Sequence, residues 1–378
     1  MYKLILFSIA AVFITGCSAD SSQQEASTGA KQEAVQAASM VKNSKKIDSP
    51  SSKNQGVTNN KAPVNNKDVV ELTFAGDVMF ANSLIHTTEQ EGFDYPFQYV
   101  KEHFQNDDFT FVNLETSVTE RGIKEEKIYN YRTKPEAMDA LKSVGIDGLA
   151  LGNNHTLDYG TQGLLDTISY VEKAGLATIG AGKNKKEAYS SFTKTFNGKK
   201  IAFLSFSKVL PKVEWYALEN RPGIASGYQL DRMTEIIRKA ETMHDYVFVQ
   251  IHWGEMGDTM FNETEQTYAH EMIDAGADAI IGSHPHVLQG FEYYEGKLIA
   301  YSLGNLLFPD FVHGEEAQTG LLEVKILESG KLEYSFLPHL IQDDVITIHP
   351  NEKELLNRLE ARSLGVTITK NHEIINQN

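Results

Sequence analysis

The sequence predicts an α/β fold for the part of the chain that follows about residue 68. Short apolar runs there end in polar, glycine-rich turns, and helical patterns follow the turns, which is typical of strands alternating with helices. The predicted strands are Val69–Val78, Thr110–Leu114, Gly148–Leu151, Lys200–Phe206, Tyr246–Ile251, Ala279–Ile281 and Leu298–Leu303. The predicted helices are Phe97–Phe104, Pro135–Val144, Thr161–Ala174, Leu230–Met243 and Thr264–Ala275.

The pattern changes after about residue 318, where a hairpin replaces the alternation. Leu321–Leu327 and Leu332–Leu337 flank a Ser-Gly turn, so part of the sheet is predicted to be antiparallel. Glu352–Arg362 has a helical pattern, and the residues after it form a polar tail. We therefore expect a main domain over residues 68–345 and a C-terminal helix and polar tail over residues 346–378.

Residues 1–17 have the features of a bacterial lipoprotein signal. Lys3 precedes the apolar run Leu4–Gly16, which is shorter than the roughly 20 residues that span a bilayer. The run ends in Ile-Thr-Gly before Cys17, which resembles a lipobox, and Cys17 is the one cysteine of the chain. We expect Cys17 to be lipidated, which predicts a protein anchored to the extracytoplasmic face of the cell membrane. The alternatives are an uncleaved N-terminal anchor and a cysteine placed there by chance.

Residues 18–67 consist largely of Ser, Gln, Lys, Asn and Ala. Such a segment cannot bury enough apolar surface to offset the entropy lost when it orders, so we interpret it as a disordered tether.

The whole chain has 51 acidic and 35 basic side chains, a formal net charge of −16. A field of that sign repels nucleic acid, which we exclude as a partner.

Side chains of the kind that bind metals follow several of the predicted strands. They are Asp77, Glu115, Asn153, Asn154, His155, His252, His284 and His286. Because ligand sites in open α/β sheets lie outside the carboxyl ends of the strands, we expect these side chains to converge. Carboxylates and imidazoles without a thiolate suit manganese, zinc or iron. The pattern predicts one or two divalent ions, with Asp77 as the bridging carboxylate, that polarise a phosphoryl oxygen and activate water.

The same segments, taken in order, resemble the CapA family of poly-γ-glutamate capsule proteins. The motifs that carry the resemblance are Gly76-Asp77-Val78-Met79, Asn113-Leu114-Glu115, Asn153-Asn154-His155-Thr156-Leu157-Asp158-Tyr159-Gly160, His252-Trp253-Gly254-Glu255, Gly282-Ser283-His284-Pro285-His286 and Tyr301-Ser302-Leu303-Gly304-Asn305. They lie within about residues 69–310. That family is similar to the calcineurin-like metallophosphoesterases, so the resemblance implies a sandwich of two mixed β-sheets flanked by helices.

Carried over residue by residue, the resemblance implies six metal ligands, which are Asp77, Glu115, Asn154, His252, His284 and His286. It also implies that His155 protonates the leaving group and that Asp158 orients His155. Two positions depart from the wider superfamily. Met79 stands where the first motif has His, and Glu115 stands where the second has Asp. We therefore expect one metal position to be weak or absent.

The resemblance implies a component of the machinery that makes or exports poly-γ-glutamate, with other synthase or export subunits as partners and an anionic polymer as the substrate. The alternative is a stand-alone, metal-dependent phosphoester hydrolase at the cell surface. A third interpretation is a non-catalytic surface lipoprotein, which the full set of His and Asn residues disfavours.

Arg132 and Lys134 are expected either to contact an anionic substrate or to lie in an exposed loop.

Overall fold

The computed structural model describes residues 69–309 and 311–377, so Cys17, the predicted signal and the predicted tether lie outside the described residues. The strands are β1 (Val70–Val78), β2 (Phe109–Leu114), β3 (Ser117–Val118), β4 (Arg132–Thr133), β5 (Gly148–Ala150), β6 (Ala177–Ile179), β7 (Ala181–Gly182), β8 (Phe192–Phe196), β9 (Lys199–Ser207), β10 (Gly223–Ile224), β11 (Tyr246–His252), β12 (Ala279–Ser283), β13 (Phe291–Tyr294), β14 (Lys297–Ala300), β15 (Asn305–Leu307), β16 (Gln318–Ile326), β17 (Leu332–Gln342), β18 (Val345–Ile348), β19 (Val366–Ile368) and β20 (Glu373–Asn376).

The α-helices are α1 (Ser83–Glu91), α2 (Lys101–Asn106), α3 (Glu136–Ser143), α4 (Gly160–Lys173), α5 (Lys185–Ala188), α6 (Leu230–Glu241), α7 (Glu263–Asp274) and α8 (Glu352–Ala361). Two short 3₁₀ turns cover Tyr95–Phe97 and Val213–Trp215. Helix α7 shows how the sequence starts a helix. The Asn262 side chain accepts a hydrogen bond from the backbone N–H of Glu265, and the Glu265 carboxylate accepts one from the backbone N–H of Asn262. No helix of the described part of the chain is long and apolar enough to cross a membrane.

Two mixed β-sheets form the centre of the fold. The larger sheet has the strand order β19-β20-β17-β16-β1-β2-β5-β6, with β15 also beside β1 and β18 beside β17. Its strands β1, β2, β5, β6 and β15 are parallel, and the rest pair antiparallel. The smaller sheet has the order β13-β14-β12-β11-β9-β8, and its two edge strands are antiparallel to their neighbours.

Aromatic side chains fill the space between the two sheets. The ring of Phe203 on β9 lies 4.9 Å from that of Phe111 on β2 and 5.9 Å from that of Phe248 on β11, centroid to centroid. Helices α3 and α4 cover the outer face of the larger sheet, and α6 and α7 cover that of the smaller one. The result is a four-layer sandwich, which confirms the predicted fold class.

Most predicted elements are present, with ends within about two residues of their predicted positions. Four predictions were wrong in extent. The hairpin strands are longer than predicted, since β16 already begins at Gln318 and β17 continues to Gln342. The strand predicted over Leu298–Leu303 ends at Ala300, because the chain there leaves the smaller sheet. The helix predicted over Phe97–Phe104 is divided into a 3₁₀ turn that ends at Phe97 and the short helix α2.

The C-terminal tail forms two strands of the larger sheet, which the sequence pattern did not predict. Strands β19 and β20 form a hairpin, and β20 pairs with β17 through Tyr334 and Ile374. The side chains of Val366 and Ile374 are buried in the core between the sheets. The tail is polar in composition, but Val366, Ile368 and Ile374 face the core, whereas Ile375 is 46% exposed.

The segment Tyr301–Asn305 links the smaller sheet to the larger one. The backbone N–H of Leu303 donates to the carbonyl of Gly282 at 3.1 Å, next to the end of β12. The carbonyl of Gly304 accepts from the N–H of Asp77 at 3.0 Å, on β1. A Cβ on Gly282 would collide with the backbone of this segment, so only glycine permits the close approach. The ends of β1 and β12 are therefore held near each other.

We expect Phe203→Ala to lower the free energy of unfolding by about 3–5 kcal/mol, because it leaves a cavity between the two sheets where five aromatic rings surround Phe203. Urea denaturation followed by circular dichroism measures the change. Tyr99→Ala is the control, since the Tyr99 side chain is 57% exposed. Equal losses in the two variants would contradict a core that depends on the aromatic layer.

Candidate metal centre

The predicted metal-type side chains converge at the ends of strands from both sheets. Asp77 lies in β1, and Glu115 follows β2 of the larger sheet directly. His252 ends β11, and His284 follows β12 of the smaller sheet. All four side chains are buried. The structure thus brings together residues that are more than 200 positions apart, as the strand-end placement predicts.

Glu115 lies at the middle of this cluster without a hydrogen bond to either carboxylate oxygen. Its Oε1 is 3.5 Å from Nε2 of His252 and 3.9 Å from Nε2 of both His155 and His286. Burial, together with the nearby charge of Asp77, raises the pKa of Glu115 to about 8. A fully buried carboxylate without donors is costly, so this position favours a cation.

His284 and His286 complete the group of residues that fits a metal ion. The ligand atoms of Glu115, His284 and His286 all lie within 4.8 Å of one another. Nδ1 of His284 is buried without a hydrogen-bond partner. Burial also lowers the pKa of His284 to about 2, so its imidazole is neutral and offers a lone pair. One carboxylate and two imidazoles are a donor set that suits zinc, manganese or iron.

The loop that carries the two histidines has an unusual backbone. His284 has φ 101° and His286 has φ 59°, both in the region that favours glycine. Pro285 between them limits the alternatives. Residues held in such conformations store strain and cluster at functional sites, so the loop is consistent with a site that demands fixed imidazoles.

Asp77 holds the cluster from the larger sheet. Its Oδ1 accepts a hydrogen bond from Asn113 Nδ2 at 2.7 Å, and its Oδ2 lies 3.3 Å from Nδ1 of His286. Burial opposes ionisation of Asp77, but the hydrogen bond and charge of His286 outweigh burial and lower the pKa of Asp77. The carboxylate at the centre of the cluster is therefore Glu115, and Asp77 orients His286, so the bridging role of Asp77 stays a prediction.

The side chains of His252 and Asn154 contact each other directly. Nε2 of His252 lies 2.8 Å from Oδ1 of Asn154, and Nδ1 of His252 lies 2.9 Å from Oγ of Ser283. Burial lowers the pKa of His252 to about 3, so this imidazole is neutral as well. His252 lies beside Glu115, and Asn154 lies beside His252, while the role of both residues as ligands stays a prediction.

His155 and Asp158 form a hydrogen-bonded pair beside the cluster. Nδ1 of His155 is 2.7 Å from Oδ2 of Asp158, which also accepts from the backbone N–H of Tyr131 at 2.6 Å. A carboxylate on Nδ1 fixes the tautomer and leaves Nε2 of His155 directed at Glu115. The roles of His155 as an acid and of Asp158 as its orienting group stay predictions.

Lys127 contacts both members of this pair, and the sequence pattern did not predict it. Its Nζ lies 2.5 Å from Oδ1 of Asp158 and donates to the carbonyl of Asn154 at 2.6 Å. Burial lowers the pKa of Lys127, while the charge of Asp158 opposes that change. Lys127 comes from the irregular segment between β3 and β4, where no strand end marks it. Its ammonium compensates the charge of the fully buried Asp158.

Met79 packs into an apolar cluster with Phe308, Val312 and Ile341. The position that carries histidine in the wider superfamily is therefore filled by a buried apolar side chain. A thioether is a weak ligand for the hard divalent ions that carboxylates bind. The expectation of one strong and one weak or absent metal position stays a prediction.

Arg132 and Lys134 lie away from the cluster. Nζ of Lys134 pairs with Glu89 at 2.9 Å, and the guanidinium of Arg132 stacks over the ring of Tyr159 at 4.7 Å. Both side chains line a separate cavity of about 360 Å³ over Phe80. The structure does not bring them to the candidate metal centre, because β4 directs this segment towards α1 instead.

Residues 71–310 match the family model described as bacterial capsule synthesis protein PGA_cap. This range is more than half of the chain and includes every residue of the cluster. The chain therefore belongs to this family of bacterial capsule synthesis proteins, which confirms the resemblance that the motifs carried.

Relatives with known names are similar over the same region. The chain is 37% identical over 244 residues to the PGA biosynthesis protein CapA of Bacillus subtilis (strain 168), covering 64% of each chain. It is 32% identical over 292 residues to the capsule biosynthesis protein CapA of Bacillus anthracis, covering 75% of this chain and 70% of that one. The chain thus spans slightly less than two thirds of the Bacillus subtilis relative.

Among solved structures, the NAD nucleotidase of Haemophilus influenzae has a TM-score of 0.45 and 12% sequence identity, covering 82% of this chain and 60% of that one. A likeness this distant says nothing about activity. The chemistry of the site is therefore inferred from the residues of the cluster.

We expect Lys127→Met to lower the free energy of unfolding by about 3 kcal/mol, because Asp158 would keep a buried charge without its partner. The double variant Lys127→Met with Asp158→Asn removes that charge and should recover most of the loss. Urea denaturation measures all three proteins. Lys185→Met is the control, since its pair with Glu219 is exposed and should cost less than about 1 kcal/mol. A double variant that is no more stable than Lys127→Met would contradict the pairing.

Proposed function

We propose that this protein is a membrane-anchored, extracytoplasmic component of poly-γ-glutamate synthesis or export that uses a divalent-metal site of the metallophosphoesterase type. The observation that carries the proposal is the environment of Glu115. Its two carboxylate oxygens are buried and unpaired, and imidazoles of three histidines face them. This arrangement is stable with a cation at its centre and unfavourable without one.

Membership in a family of bacterial capsule synthesis proteins supports the polymer role. The two Bacillus relatives carry names that refer to PGA or capsule biosynthesis. We propose that this chain acts in the same process, with other synthase or export subunits as partners. The negative net charge means that a polyanion would need divalent cations to lie against most of the surface.

A divalent ion in this site would polarise a phosphoryl or similar bond and activate a water molecule. Glu115, His284 and His286 would hold it, and the remaining predicted ligands Asp77, His252 and Asn154 surround them. His155 would supply the proton to the leaving oxygen, since its Nε2 faces the cluster.

A stand-alone phosphoester hydrolase is the second candidate. The observation that favours it is the hydrogen-bonded pair His155–Asp158, because a site that only stores a metal has no use for an oriented acid. The two candidates share the metal centre and differ in the substrate. Loss of polymer in a cell that lacks the gene supports the first, and unchanged polymer supports the second.

The metal centre is tested by comparing His284→Ala, His155→Ala and the exposed control His86→Ala. Elemental analysis after loading with manganese, zinc or iron should show one ion, or two of unequal affinity, in the wild type. We expect His284→Ala to lose at least about tenfold in metal affinity, since loss of even an orienting partner costs about 10–100-fold. His155→Ala should keep the metal and lose about 10²–10⁴-fold in rate towards phosphoesters.

His86 is exposed on α1, and its replacement should leave metal content and polymer output unchanged. Polymer output is measured in cells that carry each variant as the sole copy. The proposal fails if no transition metal binds under any loading condition and the His284→Ala strain makes wild-type amounts of polymer.

The membrane anchor is tested separately by Cys17→Ser. We expect the variant to leave the membrane fraction or to accumulate as an unprocessed precursor, because the thiol that would carry the lipid is absent. Cell fractionation and N-terminal mass spectrometry measure this. Ser18→Ala is a matched control next to the same position. Unchanged fractionation and processing of Cys17→Ser would refute lipidation.

A further inference from the structure

A cavity of about 500 Å³ opens beside the candidate metal centre. Asn154, His155 and His286 lie on the side of the cavity that adjoins the cluster. The ring of His155 contacts Tyr131 with centroids 4.8 Å apart, and that of His286 contacts Phe308 at the same distance. The cavity and the cluster thus share side chains, so a substrate that reacts at the cluster would extend into the cavity.

The opposite walls of the cavity are mainly apolar and exposed. Four large apolar side chains on them are open to solvent: Ile128 is 86% exposed, Tyr129 62%, Met256 64% and Phe311 48%. They come from three different loops that meet around one opening. Several exposed apolar side chains around a concave site mark a place where an apolar group binds.

The charges of the cavity do not suit a polyanion. Of the charged side chains that line it, Lys127 is already paired with Asp158, His286 is paired with Asp77, and Glu316 is acidic. A chain of glutamate residues carries one carboxylate per residue and would find no unpaired cation among the described side chains of these walls. Burying such carboxylates without partners is costly, so the polymer itself is a poor occupant of this cavity.

We propose that this cavity binds the apolar leaving group of an amphiphilic phosphoester, that is, a phosphoryl group esterified to a hydrocarbon chain. The inference rests on the proposed metal centre and names its substrate class. His155 lines both the cavity and the cluster, which locates the leaving oxygen between them.

In the reaction, the bond between phosphorus and the oxygen of the apolar alcohol breaks, and the oxygen of a water molecule takes its place on phosphorus. The alcohol leaves with the proton from Nε2 of His155, and the proton that the water loses restores His155. The products are the free alcohol, held by the apolar walls, and inorganic phosphate.

The test is binding of a series of alkylphosphonates from methyl to octyl, below their micelle concentration, by isothermal titration calorimetry to the manganese-loaded full-length protein. These probes have a phosphorus–carbon bond and are not hydrolysed. We expect affinity to rise about two- to fourfold for each methylene that enters the cavity and then to level off. Ile128→Asp and Phe311→Asp should flatten this dependence, whereas Ile348→Asp, on exposed β18, should not.

Affinity that does not depend on chain length, in protein that holds its metal, would overturn this inference and leave the metal centre standing. Competition between oligomers of γ-linked glutamate and octylphosphonate would also overturn it, because the cavity would then accept a polyanion. Failure of the protein to hold any metal would be seen first, in the loading step, and would overturn the proposed function and this inference together. Thermal unfolding of each variant confirms that it is folded.

Discussion

The backbone contact between Tyr301–Asn305 and the ends of β1 and β12 is the constraint on which the rest of the site depends. Gly76 and Gly282 lie so close to this segment that a Cβ on either one would overlap its carbonyl oxygens. Because both sheets are tied to one stretch of backbone, their strand ends cannot separate. Side chains from two sheets can then share a space small enough for a single ion.

The electrostatics of the cluster follow from that closeness. Asp77 and Glu115 are both fully buried, and two carboxylates so placed repel each other unless positive charge lies between them. In the protein alone, His286 supplies that charge, since the two carboxylates raise its pKa to about 9 in spite of burial. A divalent ion would supply more charge at the same place.

The sequence predicted the site better than its surroundings, for a physical reason. Strand-end positions are fixed by short apolar runs, so the convergence of Asp77 and His252 could be deduced from local pattern. Lys127 lies in an irregular loop, and nothing local indicates which buried carboxylate it meets. One expected role of Arg132, a contact with an anionic substrate, rested on its charge alone. Charge does not indicate where a side chain points in the fold. The strands of the C-terminal tail were missed because they are short and lie among polar residues, and because their partner, β17, is remote.

The position of β1 in the larger sheet has a consequence for how the chain folds. Val70, at the start of the domain, pairs with Ile326 on β16. The strands on the β16 side of β1 are β15 to β20, which come last in the sequence. The first strand of the described part of the chain is thus a central one, and about 250 residues must follow it before its antiparallel neighbour exists. Such long-range closure slows folding. A chain cut short before β16 would leave the open edge of β1 free to pair with other chains.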